Sequence, residues 1–575
     1  FSACSNMSYV PQYYWVVPNP DDAYIWLAIV GGIICWFGGW GIGANDTSNS
    51  WGSSVGAKAI SVRNAAILAA IFECIGAFAL GANVGGTVKS KVVDPKYYCG
   101  DNYQAVTRMN GMLAVGLSIW LYLGFCSKFG IPVSTTHAAV GGVCGFGIVT
   151  RGWGGVTWWT TMGYIFISWV TSPIASCIIG FVGQALINRF LMSGPPGSVW
   201  RRNVIALPAI AGTFIGLAVV FAFFIGGKSN SNVKDIAGWV FAVVFFGTAF
   251  FSILVLYLLL RCYRDRFGLD PNKWYGVQYD PKGLGGYGYP EWGDALPGTP
   301  QGTPYVVYDE PAYPSYTPVP YIPAPEKSAM PLIPAPEKDA MPLIPAPGKK
   351  GANAFNNSEI QEEDIYAGMT PERIATEQLW VPLCWLVASV ESFSHGANDV
   401  GNAVGPFAAL MDSYHGNCPK APKDIPYWIL GIATSGIIVG LLTYGHRVMK
   451  TLGVDIAKIT PQRAVMAEVA AVITILVATA AAIPVSTTHC SVGGITGMCL
   501  ADGWRHIKWG TINKVIIAIV LTVPCTALIT AGTFGFLQAA VFGASYPGSS
   551  TFNKYCNASS PGPWPPGLNY TWPKN

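Results

Sequence analysis

Long apolar stretches recur along the chain of 575 residues, and each is about as long as a membrane is thick. A helix that crosses the hydrocarbon core needs about 20 mostly apolar residues, because each backbone N–H must find its acceptor within the segment. We therefore expect an all-α polytopic membrane protein with about 12 transmembrane segments. The predicted crossings are residues 22–45, 64–88, 105–127, 131–150, 158–188, 204–226, 237–260, 377–411, 427–445, 464–480, 484–502 and 511–541.

Composition supports this class. Charged residues make up 11% of the chain and hydrophobic residues 51%, whereas a soluble domain carries about 25% charged residues. The formal net charge of +4 is small for this length, and the sequence has no basic patch interleaved with aromatic residues. We expect a lipid bilayer as the surroundings and no nucleic acid as a partner.

One long segment between the seventh and eighth predicted crossings differs from the rest. Residues 261–376 are rich in Pro, Gly and Tyr and contain a repeat of eleven residues, IPAPEKSAMPL followed by IPAPEKDAMPL. Such a sequence cannot bury enough apolar surface to offset its ordering entropy. We expect a cytoplasmic linker, largely disordered, that acts as a spacer or docks a cytoplasmic partner, with Thr370 and Pro371 starting a short helix near its end. The linker separates a first membrane half, residues 22–260, from a second, residues 377–541.

The two tails, residues 1–21 and 542–575, carry N-glycosylation patterns at Asn6, Asn557 and Asn569. An even number of crossings places both tails on one side, so we expect both termini to be extracellular and the protein to lie in the plasma membrane. Outward segments then contain four cysteines, which could form two disulfides, and their pairing stays open. These cysteines are Cys4, Cys99, Cys418 and Cys556.

Two polar motifs occur once in each membrane half. The first half contains GANDTSNS and the second GANDVGNA, and each is followed by an identical PVSTTH. Asp46 precedes Ser134 by 88 residues, and Asp399 precedes Ser486 by 87. With the predicted crossings, the two GAND helices run in opposite directions. The halves then form an inverted-topology repeat, which transporters use to build one central site.

The GAND motifs offer oxygen ligands for a cation. Residues four apart share one face of a helix, so the two asparagines of each motif can point into one cavity with the aspartate beside them. Such oxygens suit sodium, and Gly41, Gly43 and Gly396 are expected to loosen the helix and free further carbonyls. The alternative is a polar clasp between helices. The candidate ligands are Asn45, Asp46, Asn49, Asn398, Asp399 and Asn402.

Each PVSTTH motif offers donors for an anion. Its proline is tolerated at a helix start, where the first amides lack partners within the helix and the dipole favours negative charge. Two such ends could surround a tetrahedral oxyanion, and neighbouring cations would balance its charge. The following His137 and His489 could orient a hydroxyl, titrate, or be structural. The candidate donors are Ser134, Thr135, Thr136, Ser486, Thr487 and Thr488.

Carboxylates also occur in apolar sequence outside the motifs. Glu73 and Glu468 lie in predicted crossings, where a buried carboxylate is costly unless it is paired or neutralised. We expect each to lie beside the cation path or to be protonated. Glu391, shortly before the second GAND motif, is a third candidate.

The paired motifs resemble those of the inorganic phosphate transporter (PiT) family, the sodium- or proton-coupled phosphate symporters, across residues 22–260 and 377–541. The resemblance implies twelve membrane segments in two inverted repeats, with each PVSTTH at the tip of a discontinuous, hairpin-like helix near the midplane. It also implies that the GAND residues bind the cation, with both aspartates essential, and that the PVSTTH hydroxyls bind phosphate. Glu73 and Glu468 match membrane glutamates that matter for phosphate transport in the family.

The chain departs from the family pattern in two places. Thr47 and Ser48 stand where small apolar residues are usual, so we expect additional hydroxyls to line that half. Met112 stands where some relatives carry a glutamate, so no role that needs this carboxylate transfers.

These observations predict a secondary active symporter, without a cofactor, that imports inorganic phosphate together with a cation, sodium. Several alternatives stay open: a proton as the coupling ion, another oxyanion such as arsenate or sulfate, a homodimer, and a phosphate sensor or receptor on the same scaffold. An intramembrane hydrolase is disfavoured, because the chain has no HExxH pair and its polar motifs are symmetric.

Overall fold

The computed structural model describes residues 24–99, 102–229, 238–266, 365–366, 369–416, 425–480 and 485–542. Within this part of the chain the regular elements are helices, and strand pairing is limited to one bridge between Ala457 and Ile507. The predicted tails and most of the predicted linker lie outside the described residues, so the domain boundaries stay predictions.

Eight α-helices form the described part of the first half; seven of them correspond to the seven predicted crossings, and a short helix after Asp46 lies outside those crossings. The chain departs from the helix at Asp46, within the first GAND motif. The helices are α1 (Ile25–Asn45), α2 (Thr47–Gly56), α3 (Val62–Ser90), α4 (Asn102–Lys128), α5 (Thr135–Arg151), α6 (Gly163–Phe190), α7 (Pro196–Ser229) and α8 (Gly238–Arg266). A π-helical turn, Trp158–Met162, leads into α6.

Seven α-helices follow the linker. The first of them is the short helix predicted from Thr370 and Pro371, and Oγ1 of Thr370 accepts a hydrogen bond from the amide of Arg373 at 3.3 Å. The helices are α9 (Pro371–Leu379), α10 (Val381–Tyr414), α11 (Tyr427–Gly440), α12 (His446–Lys450), α13 (Pro461–Ala480), α14 (Thr487–Asp502) and α15 (Trp509–Phe542). Two π-helical turns, Leu441–Gly445 and Thr451–Asp455, join α11 and α12 to the next segment.

Nine helical segments of the described residues are long and apolar enough to cross a membrane. Three of the predicted crossings coincide with the other long elements: α10, which contains the second GAND motif, and α5 and α14, which have 17 and 16 residues. The predicted class of all-α polytopic membrane protein is confirmed. The number of crossings and the opposite directions of the two halves stay predictions.

The two halves exchange equivalent helices. α3 of the first half packs along α10, and α11 of the second half packs along α1. In the same way α5 packs against α15, and α14 packs against α6. In each pair, a helix of one half thus packs against a helix of the other half, and the two pairs are related by exchange of the halves. Two structurally equivalent halves would produce this packing.

Glycines let these exchanged helices come into backbone contact. A Cβ atom at Gly43 of α1 would collide with the carbonyl oxygen of Ile437, and one at Gly440 of α11 would collide with that of Trp40. A Cβ atom at Gly396 would likewise meet the carbonyl oxygen of Glu73. Glycines at these contacts allow the backbones of two membrane helices to approach each other closely.

The expectation that these glycines loosen the helix is wrong for the second GAND motif. Helix α10 runs unbroken through Gly396, because this glycine is used to bring α3 and α10 together. Only the first motif interrupts its helix, at Asp46.

Candidate cation and phosphate site

In each PVSTTH motif the serine lies directly before a helix, and the following Thr-Thr-His residues form the first turn of that helix. Ser134 and Ser486 adopt extended backbone conformations immediately before α5 and α14. Oγ of Ser134 accepts a hydrogen bond from the amide of His137 at 3.2 Å, and Oγ of Ser486 accepts one from His489 at 3.3 Å. Each serine therefore caps its helix, a position that its hydroxyl favours. We call the residues 133–136 and 485–488 the two tips.

The two tips touch each other, although about 350 residues separate them. Oγ1 of Thr136 donates to the carbonyl oxygen of Val485 at 3.3 Å, and Oγ1 of Thr488 donates to that of Val133 at 2.9 Å. The second hydrogen bond repeats the first with the two halves exchanged. The twelve candidate ligand residues of the GAND and PVSTTH motifs are all buried.

Asp46 connects both tips through its carboxylate. Oδ2 accepts a hydrogen bond from the amide of Thr135 at 3.2 Å, and Oδ1 lies 3.4 Å from Oγ1 of Thr488. Asn49, on the same helical stretch, donates from Nδ2 to Oγ1 of Thr488 at 2.9 Å. The first GAND motif thus holds one tip of each half.

Asp399 has the equivalent position in the second half. Its Oδ2 accepts a hydrogen bond from Oγ1 of Thr487 at 2.8 Å, and its Oδ1 lies 3.5 Å from Oγ1 of Thr136. Nδ2 of Asn402 lies 3.1 Å from Asp399 Oδ1, 3.3 Å from Thr136 Oγ1 and 3.1 Å from Thr135 Oγ1. Both aspartates therefore bridge the two halves at the same place.

Asn45 and Asn398 differ from the other GAND residues. Asn45 uses its whole amide to hold the segment before the first tip: Oδ1 accepts from the amide of Val133 at 2.9 Å, and Nδ2 donates to the carbonyl oxygen of Ile131 at 3.0 Å. Nδ2 of Asn398 is buried without a partner in the described part of the chain. The side chain of Asn45 therefore positions the tip, and that of Asn398 remains available as a donor.

An oxygen acceptor near the first aspartate also lacks a donor. Oδ1 of Asn49 is buried and has no hydrogen-bond partner among the described residues, while its Nδ2 is used by Thr488. A buried carbonyl oxygen without a donor is costly. A cation would satisfy it, because such an oxygen is a natural ligand for one.

His395 was not predicted, and it links the second aspartate to Glu73. Its Nδ1 lies 2.7 Å and 2.9 Å from the two carboxylate oxygens of Glu73. Its Nε2 lies 2.9 Å from Oδ2 of Asp399, without the alignment of a hydrogen bond. The sequence signal was present, because His395 precedes Asp399 by four residues and so shares its helical face.

Negative charge exceeds positive charge at this place. Asp46, Asp399 and Glu73 are each at most 1% exposed, and among the described residues His395 is the basic side chain that contacts Glu73 and Asp399. One ligand atom each from Asp46, His395 and Asp399 all lie within 4.8 Å of one another. Buried carboxylates need neutralising partners. The geometry fits a cation between the two aspartates, with oxygen atoms as its ligands.

Glu468 and Glu391 lie in separate polar contacts. Oε1 of Glu468 accepts from the amide of Ser54 at 3.0 Å and from its Oγ at 2.7 Å. Oε1 of Glu391 accepts from Oγ of Ser491 at 3.0 Å. The second oxygen of each carboxylate is buried without a partner in the described residues. Of the two glutamates predicted to matter, only Glu73 thus contacts the residues around the aspartates.

Ser54 is also the central serine of a GSSVG segment, a pattern that resembles a hydrolase nucleophile elbow. It lies inside α2 and not on the strand-to-helix turn that such an elbow requires.

The two histidines that directly follow the tips, His137 and His489, contact Trp169. The ring of His137 stacks on Trp169 with centroids 3.6 Å apart, and Nδ1 of His489 lies 3.1 Å from the carbonyl oxygen of Trp169. Nδ1 of His137 lies 2.6 Å from Oγ of Ser134. Both histidines therefore contact helix α6 at Trp169, and His137 also contacts a tip hydroxyl.

The departures from the family pattern are visible as well. Oγ of Ser48 donates to the carbonyl oxygen of Gly445 at 2.8 Å, so it ties α2 to the second half and does not line a cavity. Met112 is buried at 4% exposure among hydrophobic side chains.

A family model described as the phosphate transporter family matches residues 42–530, which include both GAND motifs and both tips. The chain belongs to the phosphate transporter family. It is a membrane transporter and not an enzyme.

This transporter is 28% identical to the phosphate-repressible phosphate permease of Neurospora crassa, over 89% of this chain and 97% of the permease. Among solved structures it is similar to a protein described as the sodium-dependent phosphate transporter. The TM-score is 0.64 with 26% sequence identity, and the match covers 89% of this chain and 99% of that chain.

Proposed function

We propose that this transporter imports inorganic phosphate by secondary active symport, with sodium as the coupling ion. The observation that carries the proposal is that Asp46 and Asp399 each contact both tips. The carboxylates that would bind the cation thus hydrogen bond directly to the groups that would bind the anion. Binding of the cation would then change the hydrogen bonds available to the anion, and binding of the anion would change those of the cation ligands.

Phosphate would bind between the tips, where two helices begin. The hydroxyls of the tips and the backbone amides at the starts of α5 and α14 are neutral donors, and the helix dipoles favour an anion there. No hydrogen bond at the tips comes from an Arg or Lys in the described residues, so the balancing charge would come from bound cations. This is the physical reason for coupling. The proposed phosphate ligands are Ser134, Thr135, Thr136, Ser486, Thr487 and Thr488.

Sodium would bind between the aspartates. Asp46 and Asp399 offer carboxylate oxygens, and Asn49 offers the buried oxygen that has no donor. Asn402 contacts Asp399 and completes the second cluster. Asn45 positions the first tip, and Asn398 belongs to the proposed cation site with an amide nitrogen that has no partner among the described residues. The solved structure of the sodium-dependent phosphate transporter supports the choice of sodium. A proton as the coupling ion is the second candidate, because buried carboxylates could carry it.

Transport would follow from a change in how the halves meet. The Thr136 and Thr488 hydrogen bonds join the tips across the halves, so they must break when one half moves against the other. Glu73 would act through His395 on Asp399, and Glu468 would act at Ser54 beside the first motif. We place the protein in the plasma membrane with both termini extracellular and glycosylated. We also propose that the four outward cysteines form two disulfides; Cys99 lies within the described residues, and the other three lie outside them.

Phosphate uptake into proteoliposomes tests the proposal. We expect uptake of labelled phosphate in an inward sodium gradient and its loss when choline replaces sodium, at each pH from about 5 to 8, where the phosphate charge changes. Uptake in choline that follows an inward proton gradient would instead show proton coupling. Phosphate binding without uptake under either gradient would indicate a sensor and would contradict the proposal.

A further inference from the structure

A second buried charged cluster lies away from the central site, where α3, α4 and α10 meet. Lys89 near the end of α3 is 5% exposed, and Arg108 on α4 is 2% exposed. Nζ of Lys89 lies 2.8 Å from Oδ2 of Asp412 on α10. We call Lys89, Arg108, Asp412 and Ser413 the Arg108 cluster.

The guanidinium of Arg108 has neutral partners. One of its terminal nitrogens donates to Oγ of Ser413 at 3.3 Å, and the other donates to the carbonyl oxygen of Lys89 at 3.3 Å. The carboxylate of the cluster, Asp412, is paired with Lys89 and also attracts the guanidinium of Arg108, so the two cations share it. Among the described residues, the cluster therefore holds two buried cations and one carboxylate. A buried guanidinium is costly unless an anion pairs with it.

The surroundings of the cluster are also positive. Arg151 at the end of α5 donates to the carbonyl oxygen of Tyr97 and lies 5.3 Å from the ring of Tyr98. An excess of basic over acidic side chains raises the local concentration of anions. The described charged residues at this end are the bases Lys89, Lys91, Lys96, Arg108 and Arg151 and the acids Asp94 and Asp412.

The cluster and the central site share helix α10. Asp412 follows Asp399 by thirteen residues, which corresponds to about 20 Å along a helix axis. In the proposed topology this end of α10 faces the outside. A phosphate that approaches from outside would therefore meet the Arg108 cluster before it reaches the tips, which have no arginine or lysine of their own.

We propose that the Arg108 cluster is a receiving site for phosphate at the outer end of the transport path. The entering dianion would replace Asp412 as the partner of Lys89 and would pair with the planar guanidinium of Arg108, whose fork of donors fits two phosphate oxygens. The proposal rests on the proposed direction of import. It assigns to this cluster the first recognition of the anion, before the cation-coupled step at the tips.

The alternative is a clasp that only holds α3, α4 and α10 together. The two interpretations predict different signs when the charges are changed one at a time. Loss of Arg108 removes an attraction for phosphate, whereas loss of the Asp412 charge removes a competitor for the same cations. If the cluster only holds the helices together, both substitutions should change the KM for phosphate in the same direction.

The test is the KM for external phosphate in cells that express the full chain, at saturating sodium. We expect Arg108→Gln to raise KM about tenfold, the effect of one hydrogen bond to a charged group. We expect Asp412→Asn to lower KM about threefold, because a carboxylate that competes with phosphate for the same two cations is lost. The sodium dependence should stay unchanged in both. Arg151→Gln, the exposed control at the same end, should change KM less than twofold, which is typical of exposed charges.

A rise in KM for both Arg108→Gln and Asp412→Asn, or no change in either, overturns the proposal. If Arg108→Gln does not reach the membrane, Asp412→Asn decides alone: a lower KM supports the receiving site, and an equal or higher KM overturns it. Failure of the proposed function itself looks different, because the unmodified protein would then show no sodium-dependent uptake.

Discussion

At the residue scale, the hydroxyls of the tips have more partners than hydrogens. Oγ1 of Thr488 lies 2.9 Å from the carbonyl oxygen of Val133 and 3.4 Å from Asp46, but a hydroxyl donates only one hydrogen bond. Oγ1 of Thr136 faces the same choice between Val485 and Asp399. Neutralising the aspartates with cations favours the carbonyl contacts or frees the hydroxyls for an anion. Small changes at these oxygens can therefore alter how the two tips are joined.

The aspartates can be tested by isosteric replacement. We expect Asp46→Asn and Asp399→Asn to abolish sodium-dependent phosphate uptake, because the amide removes the charge that holds the cation while it preserves the packing. The measurement is phosphate uptake per molecule of surface-labelled protein. Asp455→Asn, in a π-helical turn away from the tips, is the control and should retain uptake. Full uptake in either aspartate variant would contradict the cation assignment.

Ser486→Ala tests the division between anion and cation ligands. We expect the KM for phosphate to rise more than the half-saturating sodium concentration, because the hydroxyl belongs to the tip. The variant also loses the cap of α14, at a cost of about 1 kcal/mol in stability. Thr496→Ala, which removes a hydroxyl bonded only to the backbone of the same helix, is the control. A larger effect on sodium than on phosphate would reverse the proposed roles.

Sequence reasoning at this scale found the types of ligand but not all of their contacts. The repeated motifs identified both aspartates because charge inside apolar sequence is costly. The spacing of four residues between His395 and Asp399 was visible in the sequence, but the contact of His395 with Glu73 was not, because Glu73 is 322 residues away and no local pattern reveals such a contact. For the same reason the sequence could not show that Asn45 holds the backbone at Val133 while Asn49 keeps an oxygen free.

At the element scale, hydrophobic length predicted most helices to within a few residues. The run over 105–127, for example, became α4 (Asn102–Lys128), because apolar length dictates a helix in lipid. The continuity of α10 through its GAND motif was not predictable. It depends on Gly396 meeting the backbone of α3, and a glycine that serves packing looks the same in the sequence as one that breaks a helix.

The backbone contact between α1 and α11 yields a prediction about stability. A methyl group at Gly440 would collide with the backbone carbonyl of Trp40, which cannot move aside as a flexible side chain can. We expect Gly440→Ala to cost about 1–3 kcal/mol by overpacking and to lower the thermal unfolding temperature in detergent. Gly532→Ala on α15, where nothing lies within 4 Å of the added atom, is the matched control and should leave the unfolding temperature unchanged or slightly higher. Equal unfolding temperatures for the two variants would contradict the contact.

At the scale of the whole molecule, the two halves depend on each other. Each half lends α3 or α11 to the other, and both tips are held by aspartates of both halves. Neither half could therefore form the central site alone. This interdependence follows from the paired motifs in the sequence, but the reciprocal exchange of helices required the structure.

The described contacts at the central site come from residues before 267 and after 364, which predicts that transport tolerates changes in the linker. We expect deletion of residues 322–350, the repeated segment, to leave both the KM for phosphate and the maximal uptake rate unchanged, because the described residues outside the linker already supply the ligands proposed at the tips and the aspartates. The measurement is uptake in cells, normalised to protein at the surface. A second variant replaces 322–350 with a Gly/Ser segment of the same length, which keeps the reach of the linker. This variant distinguishes an effect of the repeat sequence from an effect of linker length. Loss of uptake in both variants, at normal surface levels, would show that the repeat itself takes part in transport, whereas loss in the deletion alone would show a need for length.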